Sequence, residues 1–144
     1  MTRFDQPAGV PDAAKILRSI GDVAYDWRLD SDALSWSGNA AAVLGLADIG
    51  DIATGQTYAR HIDAETGQSR VDALQQATQG DGGDGVPYQV QYALKRGDEK
   101  IWLEDTGRWF AGSDGKPLRA IGTVRVITAR HERERKLLQL ANFD

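Results

Sequence analysis

Residues 88–128 read Tyr-Gln-Val-Gln-Tyr-Ala-Leu-Lys-Arg-Gly-Asp-Glu-Lys-Ile-Trp-Leu-Glu-Asp-Thr-Gly-Arg-Trp-Phe-Ala-Gly-Ser-Asp-Gly-Lys-Pro-Leu-Arg-Ala-Ile-Gly-Thr-Val-Arg-Val-Ile-Thr. Tyr88, Val90, Tyr92 and Leu94 alternate with Gln89, Gln91, Ala93 and Lys95. A period of two marks a half-buried strand. Arg96-Gly97-Asp98 is a turn into a second strand, Lys100–Ala111. Ser113-Asp114-Gly115-Lys116 is a second hairpin turn, where Asp-Gly is expected to supply positive φ angles. The last strand is expected over Pro117–Thr128. Leu118, Ala120, Gly122, Val124 and Val126 fall on one face, with Arg119, Ile121, Thr123, Arg125 and Ile127 on the other. Connections this short make the three strands antiparallel neighbours.

Working back from that meander, the Gly80–Gly85 run is a flexible loop, and a helix is expected from Ala64 to Thr78 with Val71, Leu74 and Ala77 as its apolar stripe. Residues 46–65 are irregular, with helical turns near Asp48–Ile52 and Thr57–His61. Ser37 or Asn39 can cap a short helix through Leu44 that Gly45 ends. Val23–Leu29 and Leu34–Trp36 alternate as two strands around the turn Asp30-Ser31-Asp32. Residues 1–10 form a loose leader. Pro11-Asp12 opens an amphipathic helix with Ala13, Ile16, Leu17 and Ile20 on one face, stopped by Gly21. Arg130–Ala141 is a charged helix, with Arg130–Glu134 and Glu132–Lys136 as opposite charges four apart and a weak heptad stripe near Ile127, Glu134, Leu138 and Ala141.

The fold class is therefore α+β: a five-stranded antiparallel sheet with short helices on one face, flanked by N- and C-terminal helices. The other face carries Trp102, Ile121 and Ile127 among polar residues. It stays partly uncovered unless the N-terminal helix or a second subunit sits on it. The divisions are 1–21 for leader and helix, 22–128 for the domain, and 129–144 for a helical linker.

At 144 residues the chain has the length of one domain. It has no cysteine, which removes disulfides, thiolate metal sites, thiol nucleophiles and cysteinyl photochemistry, and suits a reducing cytoplasm. The net charge of −4, with mixed signs, argues against nucleic acid. No apolar run approaches the roughly 20 residues of a membrane span, and the N-terminus has no secretory h-region. A cytoplasmic location is expected.

Several of these pieces resemble a PAS domain of the PAS fold 3 group. They are Gln91–Asp98, Trp102–Arg108, Asp114–Leu118 and Gly122-Thr123-Val124, in that order. His61-Ile-Asp63 and the following helix are similar to the family's His-Pro-Asp region, and Trp27 and Gly45 suit its early strand and helix. Leu138–Asp144 resembles the entry to a GGDEF domain. The resemblance implies a regulatory fragment, not an enzyme in itself, ahead of GGDEF or GGDEF–EAL domains that turn over cyclic di-GMP. Its character is similar to alphaproteobacterial cell-cycle cyclic di-GMP phosphodiesterases. A homodimer is implied, with a response regulator or protease adaptor as possible partner. The chain departs from the family at Val126-Ile127-Thr128, where the last strand usually ends in Asp-Ile-Thr. The family's aspartate makes a polar contact to the output helix that Val126 cannot make. That departure shifts the expectation from ligand sensing towards docking.

The resemblance also places the candidate sites. Tyr25, Trp27, Tyr58, Tyr88, Tyr92 and Leu103 could line a ligand space between sheet and helices, or simply fill the core. Ile16, Leu17, Ile20, Trp102, Ile121 and Ile127 are the candidate dimer or partner surface, and Val126, Ile127 and Thr128 the signal exit. His61 and His131 are the available haem ligands, but one matches a structural loop position and the other lies in the tail. His61, Asp63 and Glu65 read as a cap and two solvated charges rather than a metal site, and Asp81 and Asp84 lack a calcium-loop ligand series. No cofactor or metal is expected. Nothing places a nucleophile beside a base, so no catalytic residue is assigned.

Overall fold

The chain builds its sheet from two hairpins, joined so that the last strand lies in the middle. The computed structural model describes residues 12–66 and 82–141. In chain order the elements are α1 (Ala13–Ser19), β1 (Val23–Arg28), β2 (Leu34–Trp36), α2 (Ala40–Leu44), a 3₁₀ turn (Ile49–Ile52), α3 (Gly55–His61), β3 (Val86–Arg96), β4 (Glu99–Ala111), β5 (Pro117–Val126) and α4 (Thr128–Ala141). The sheet order is β2-β1-β5-β4-β3, with every pair antiparallel. The expected α+β architecture is what forms.

The alternation sorts the side chains as expected. On the inner face Val23, Tyr25, Ala120, Val124, Ile101, Leu103, Tyr92 and Leu94 are buried. Leu34, Leu44, Ile52, Tyr58 and Ile62 close over them from β2 and the helical segments. Burying each such aliphatic side chain contributes about 1.5–3 kcal/mol. One register row decides the shape of this face. Trp36, Tyr25, Gly122, Gly107 and Tyr88 lie side by side across all five strands. The two glycines leave the middle of the row empty of side chains. A Cβ on Gly122 would collide with the Thr106 carbonyl and sit 2.8 Å from the Tyr25 hydroxyl. Tyr25 and Tyr88 therefore lean inward over the glycines from either side.

Several local expectations are corrected. Asn39 does not cap α2, because it already has helical φ/ψ. Its amide donates instead to the Asp22 carbonyl (2.9 Å), and its carbonyl accepts from Ser37 Oγ (2.6 Å). In the β4–β5 turn only Gly115 takes positive φ, while Asp114 uses its carboxylate to accept from Lys116 N (3.0 Å). The last strand stops at Val126, and Thr128 opens α4. Ile127 is 5% exposed and leaves the open face. Helix α3 starts earlier than expected, at a reciprocal cap between Thr54 and Thr57. The expected Ala64–Thr78 helix is helical at residues 64–66, and beyond Thr66 it lies outside the described residues, as do the leader and residues 142–144. Among the described residues no helix is long and apolar enough to cross a membrane.

The turn between β1 and β2 is more than a reversal. Asp32 is the one described non-glycine residue with positive φ, at 66°. Its carboxylate accepts from Trp27 Nε1 (2.8 Å) and from Gln56 N (2.9 Å), and its carbonyl accepts from Gly55 N (3.0 Å). One residue thus fastens the hairpin to the start of α3. Asp32→Ala leaves the indole and the helix end without acceptors and keeps the left-handed backbone. It should lower stability by about 2–4 kcal/mol, the sum of two lost bonds and a costlier φ. Urea unfolding of the two proteins measures this, and a change under 0.5 kcal/mol would contradict it.

Candidate functional site

Of the six residues expected around a ligand space, Tyr25, Tyr58, Tyr92 and Leu103 are buried, and Trp27 and Tyr88 pack at the edge of the same cluster. The structure brings them together, but around a residue that was not singled out. Asp105 faces inward from β4 and has no exposed surface. Its Oδ1 accepts from the Tyr25 hydroxyl (2.5 Å) and its Oδ2 from the Tyr92 hydroxyl (2.8 Å). The Tyr25 hydroxyl also meets that of Tyr88, and the Tyr92 hydroxyl that of Tyr58 (2.7 Å). A phenol has one proton to give. Tyr25 and Tyr92 give theirs to the carboxylate, so Tyr88 and Tyr58 must donate to them. Four phenols thus converge on one aspartate.

Aromatic rings pack around this network. Tyr58 stands edge-on to Trp36 (ring centroids 4.9 Å apart) and to Tyr92 (6.1 Å), and Tyr25 tilts against Trp36 (5.8 Å). Trp36 Nε1 donates to the Ile52 carbonyl (2.8 Å). Burial first, then the neighbouring Asp105 charge and Tyr88, push the Tyr25 hydroxyl far above the ordinary tyrosine range. Tyr25 therefore acts as a structural donor and not as an acid or base. Asp105 was missed because it sits in Trp-Leu-Glu-Asp-Thr-Gly, where an acidic pair reads as solvated. Its inward phase in the strand was the available signal.

The exit lies on the opposite side of the same strand. Val126 makes no polar contact at its side chain, as its chemistry requires. The joint is made by the residues after it. Ile127 N donates to the Trp102 carbonyl (2.7 Å), and Thr128 Oγ1 accepts from Trp102 N (3.0 Å). Arg130 Nη2 reaches Glu104 Oε2 (2.9 Å), and the His131 ring stacks on Trp102 at 3.7 Å and 16°. The polar contacts between β4 and the start of α4 come instead from Thr128 and Arg130. His131 Nδ1 and Trp109 Nε1 are the buried polar side-chain atoms among the described residues that find no partner.

The candidate surface residues divide. Ile16 of α1, Ile20 in the turn after it and Ile121 of β5 are exposed, at 46%, 56% and 37%. Ile127 is buried, and Trp102 is half covered by His131. The Leu17 side chain lies outside the described residues. Around Ile121 the outer face hollows into an open groove of about 830 Å³ that crosses from Ala24 on β1 to Gln89 on β3. His61 and Asp63 do not converge on a metal. Asp63 pairs with Lys100 (2.5 Å), and that bond holds its carboxyl below the usual range. Among the described residues no three metal-ligating side chains gather.

The fold has clear relatives. The N-terminal domain of a diguanylate cyclase with a PAS/PAC sensor from Marinobacter aquaeolei superposes with a TM-score of 0.61 at 17% identity, covering 76% of this chain and 98% of that one. The chain has the PAS fold. A sensory box histidine kinase/response regulator from Burkholderia thailandensis gives a TM-score of 0.65 at 20% identity, over 88% of this chain and 92% of that one. A PAS domain from Colwellia psychrerythraea gives 0.56 at 17% identity, over 81% and 95%. No protein-family model matches the sequence, and no curated protein matches it.

Two outcomes follow from the PAS interior and its exit. Asp105→Ala leaves the Tyr25 and Tyr92 hydroxyls without an acceptor. At about 1–3 kcal/mol for each orphaned group, it should be among the most destabilising single changes in the chain, and thermal unfolding reports it. Hydrogen bonding from Arg130 first, then from Gln91, holds the Glu104 carboxyl below its usual value against a small desolvation cost. A depressed folded pKa stabilises above the unfolded value and loses that stabilisation as pH falls through the folded one. Amide protection over 128–134, taken relative to intrinsic exchange at each pH, should therefore hold at neutral pH and drop selectively as pH falls through the depressed Glu104 value. In Glu104→Gln it should lack that acid step.

Proposed function

We propose that this chain is a PAS regulatory module of a protein that turns over cyclic di-GMP, and that its input is a protein contact on the outer surface. The observation that carries this reading is the occupancy of the interior. Four phenols and Asp105 already use the space where a small ligand would sit. The outward side chains of the same strand hold the exit helix. A contact on the outer face therefore acts on the residues that position α4, with no need to open the core.

Two surfaces serve that input. Ile16 on α1 and Ile20 just past its end are exposed apolar residues suited to pairing with a second copy. The groove around Ile121 suits a docking partner, and a response regulator or protease adaptor is the class proposed. The link to cyclic di-GMP rests on the Leu138–Asp144 tail and on the likeness to the diguanylate cyclase domain from Marinobacter aquaeolei. The module does no chemistry itself. The native polypeptide should carry a GGDEF domain.

Ile121→Asp tests the surface. Its side chain is exposed, so stability should change by under about 0.5 kcal/mol. Self-association or partner capture through the outer face should fall at least tenfold in sedimentation or titration experiments. Full retention of every association would remove the outer face as the input site.

A further inference from the structure

The arginines of the outer face are nearly all matched to acids. Arg119 forks onto Asp26 (2.9 and 2.6 Å), Arg125 onto Asp22 (2.8 and 3.0 Å), and Arg130 reaches Glu104 (2.9 Å). Arg108 is the exception. Its Nη1 touches only the carbonyls of Asp84 (3.1 Å) and Gly85 (3.3 Å), and among the described residues no carboxylate pairs with it. What sets Arg108 apart from the paired arginines of this face is its position. Arg108 stands directly beside Ile121 in the strand register, on the rim of the 830 Å³ groove.

The groove owes its depth to small residues. Gly107 and Gly122 form its floor, and Ala24, Thr106 and Thr123 rise little above it. A second cleft of about 390 Å³ shares Ile121 and continues past Leu118 and Phe110. The result is an apolar trough across the sheet with one unmatched cation at its edge. It lies open to solvent, whereas small-ligand sites bury about 70–90% of what they hold. An occupant must bring its own cover, as a protein does. A second copy of this chain fits poorly there. Its outward sheet carboxylates Asp22, Asp26 and Glu104 are already committed, so the same face of a second copy offers Arg108 no uncommitted acid and adds arginine to arginine.

We infer that the outer trough docks a segment of a partner protein in which apolar residues flank an aspartate or glutamate, the carboxylate forking onto Arg108. This deepens the docking reading and rests on the outer face being the contact surface. Arg108 supplies the specificity, because a guanidinium matches a carboxylate with two parallel bonds. The apolar floor supplies the area.

Random-peptide phage display against the 144-residue protein tests the inference. Selection should enrich peptides with an acidic residue among apolar ones. Arg108→Glu should weaken those peptides about ten- to hundredfold, and selection on that variant should enrich lysine or arginine instead. Arg108→Gln should bind them with intermediate strength, and melting curves verify that each variant is folded. Acid-free peptides, no enrichment, or binding indifferent to Arg108→Glu would overturn the acidic partner. If Ile121→Asp still abolished binding in that case, the outer face would survive as the contact surface. If it did not, both readings would fall. A stable dimer whose interface covers Ile121 would overturn the inference in favour of a second copy.

Discussion

A carboxylate with no access to water governs this molecule. Asp105 can be buried only because Tyr25 and Tyr92 donate to its two oxygens, and Gly107 and Gly122 clear the row between β1 and β3 in which the Tyr25 and Tyr88 hydroxyls meet. A buried acid lacking such donors would cost several kcal/mol. With them, it becomes the point around which Tyr88, Tyr58 and Trp36 are ordered. Between the sheet and the described helical segments this makes a polar cluster with aromatic walls. A fully satisfied buried network specifies one packing and resists rearrangement. The interior is thus poorly suited to exchanging a ligand and well suited to acting as a rigid support.

Strand β4 is where support and output meet. Asp105 points inward to β1 and β3, while Trp102 and Glu104 point outward to α4. The backbone of Trp102 is itself bonded to Ile127 and Thr128. Motion of β4 against the core is restrained, so what remains free to vary is how α4 lies on the outer residues. The groove between Ala24 and Gln89 opens on that same face. A partner seated there and the exit helix would share strands β4 and β5.

Most of the fold was legible because alternation and turn chemistry agree. The three-strand meander, the β1–β2 hairpin and the Gly45 stop all form where the residue pattern places them. The errors have specific causes. Asn39 looked like a cap, but Asp22 and Ser37 claimed its amide. Thr128 looked like strand, but its hydroxyl is used to turn the chain into α4. Ile127 looked outward by parity, and the strand ended one residue before it. The site was less legible. The tyrosines could be read as pocket or core, and neither reading brought out Asp105, the acceptor that gathers them. A single aspartate in an alternating strand carries no signal of burial until its cross-strand neighbours are known.

The central claim is that the interior is complete without a small molecule and that input enters from outside. Native mass spectrometry of the purified chain measures this most directly. The account predicts the mass of the polypeptide, alone or in integral multiples, with no retained small molecule. A stoichiometric metabolite or chromophore that protects Tyr58 and Tyr92 when bound, and leaves the fold intact when removed, would contradict it.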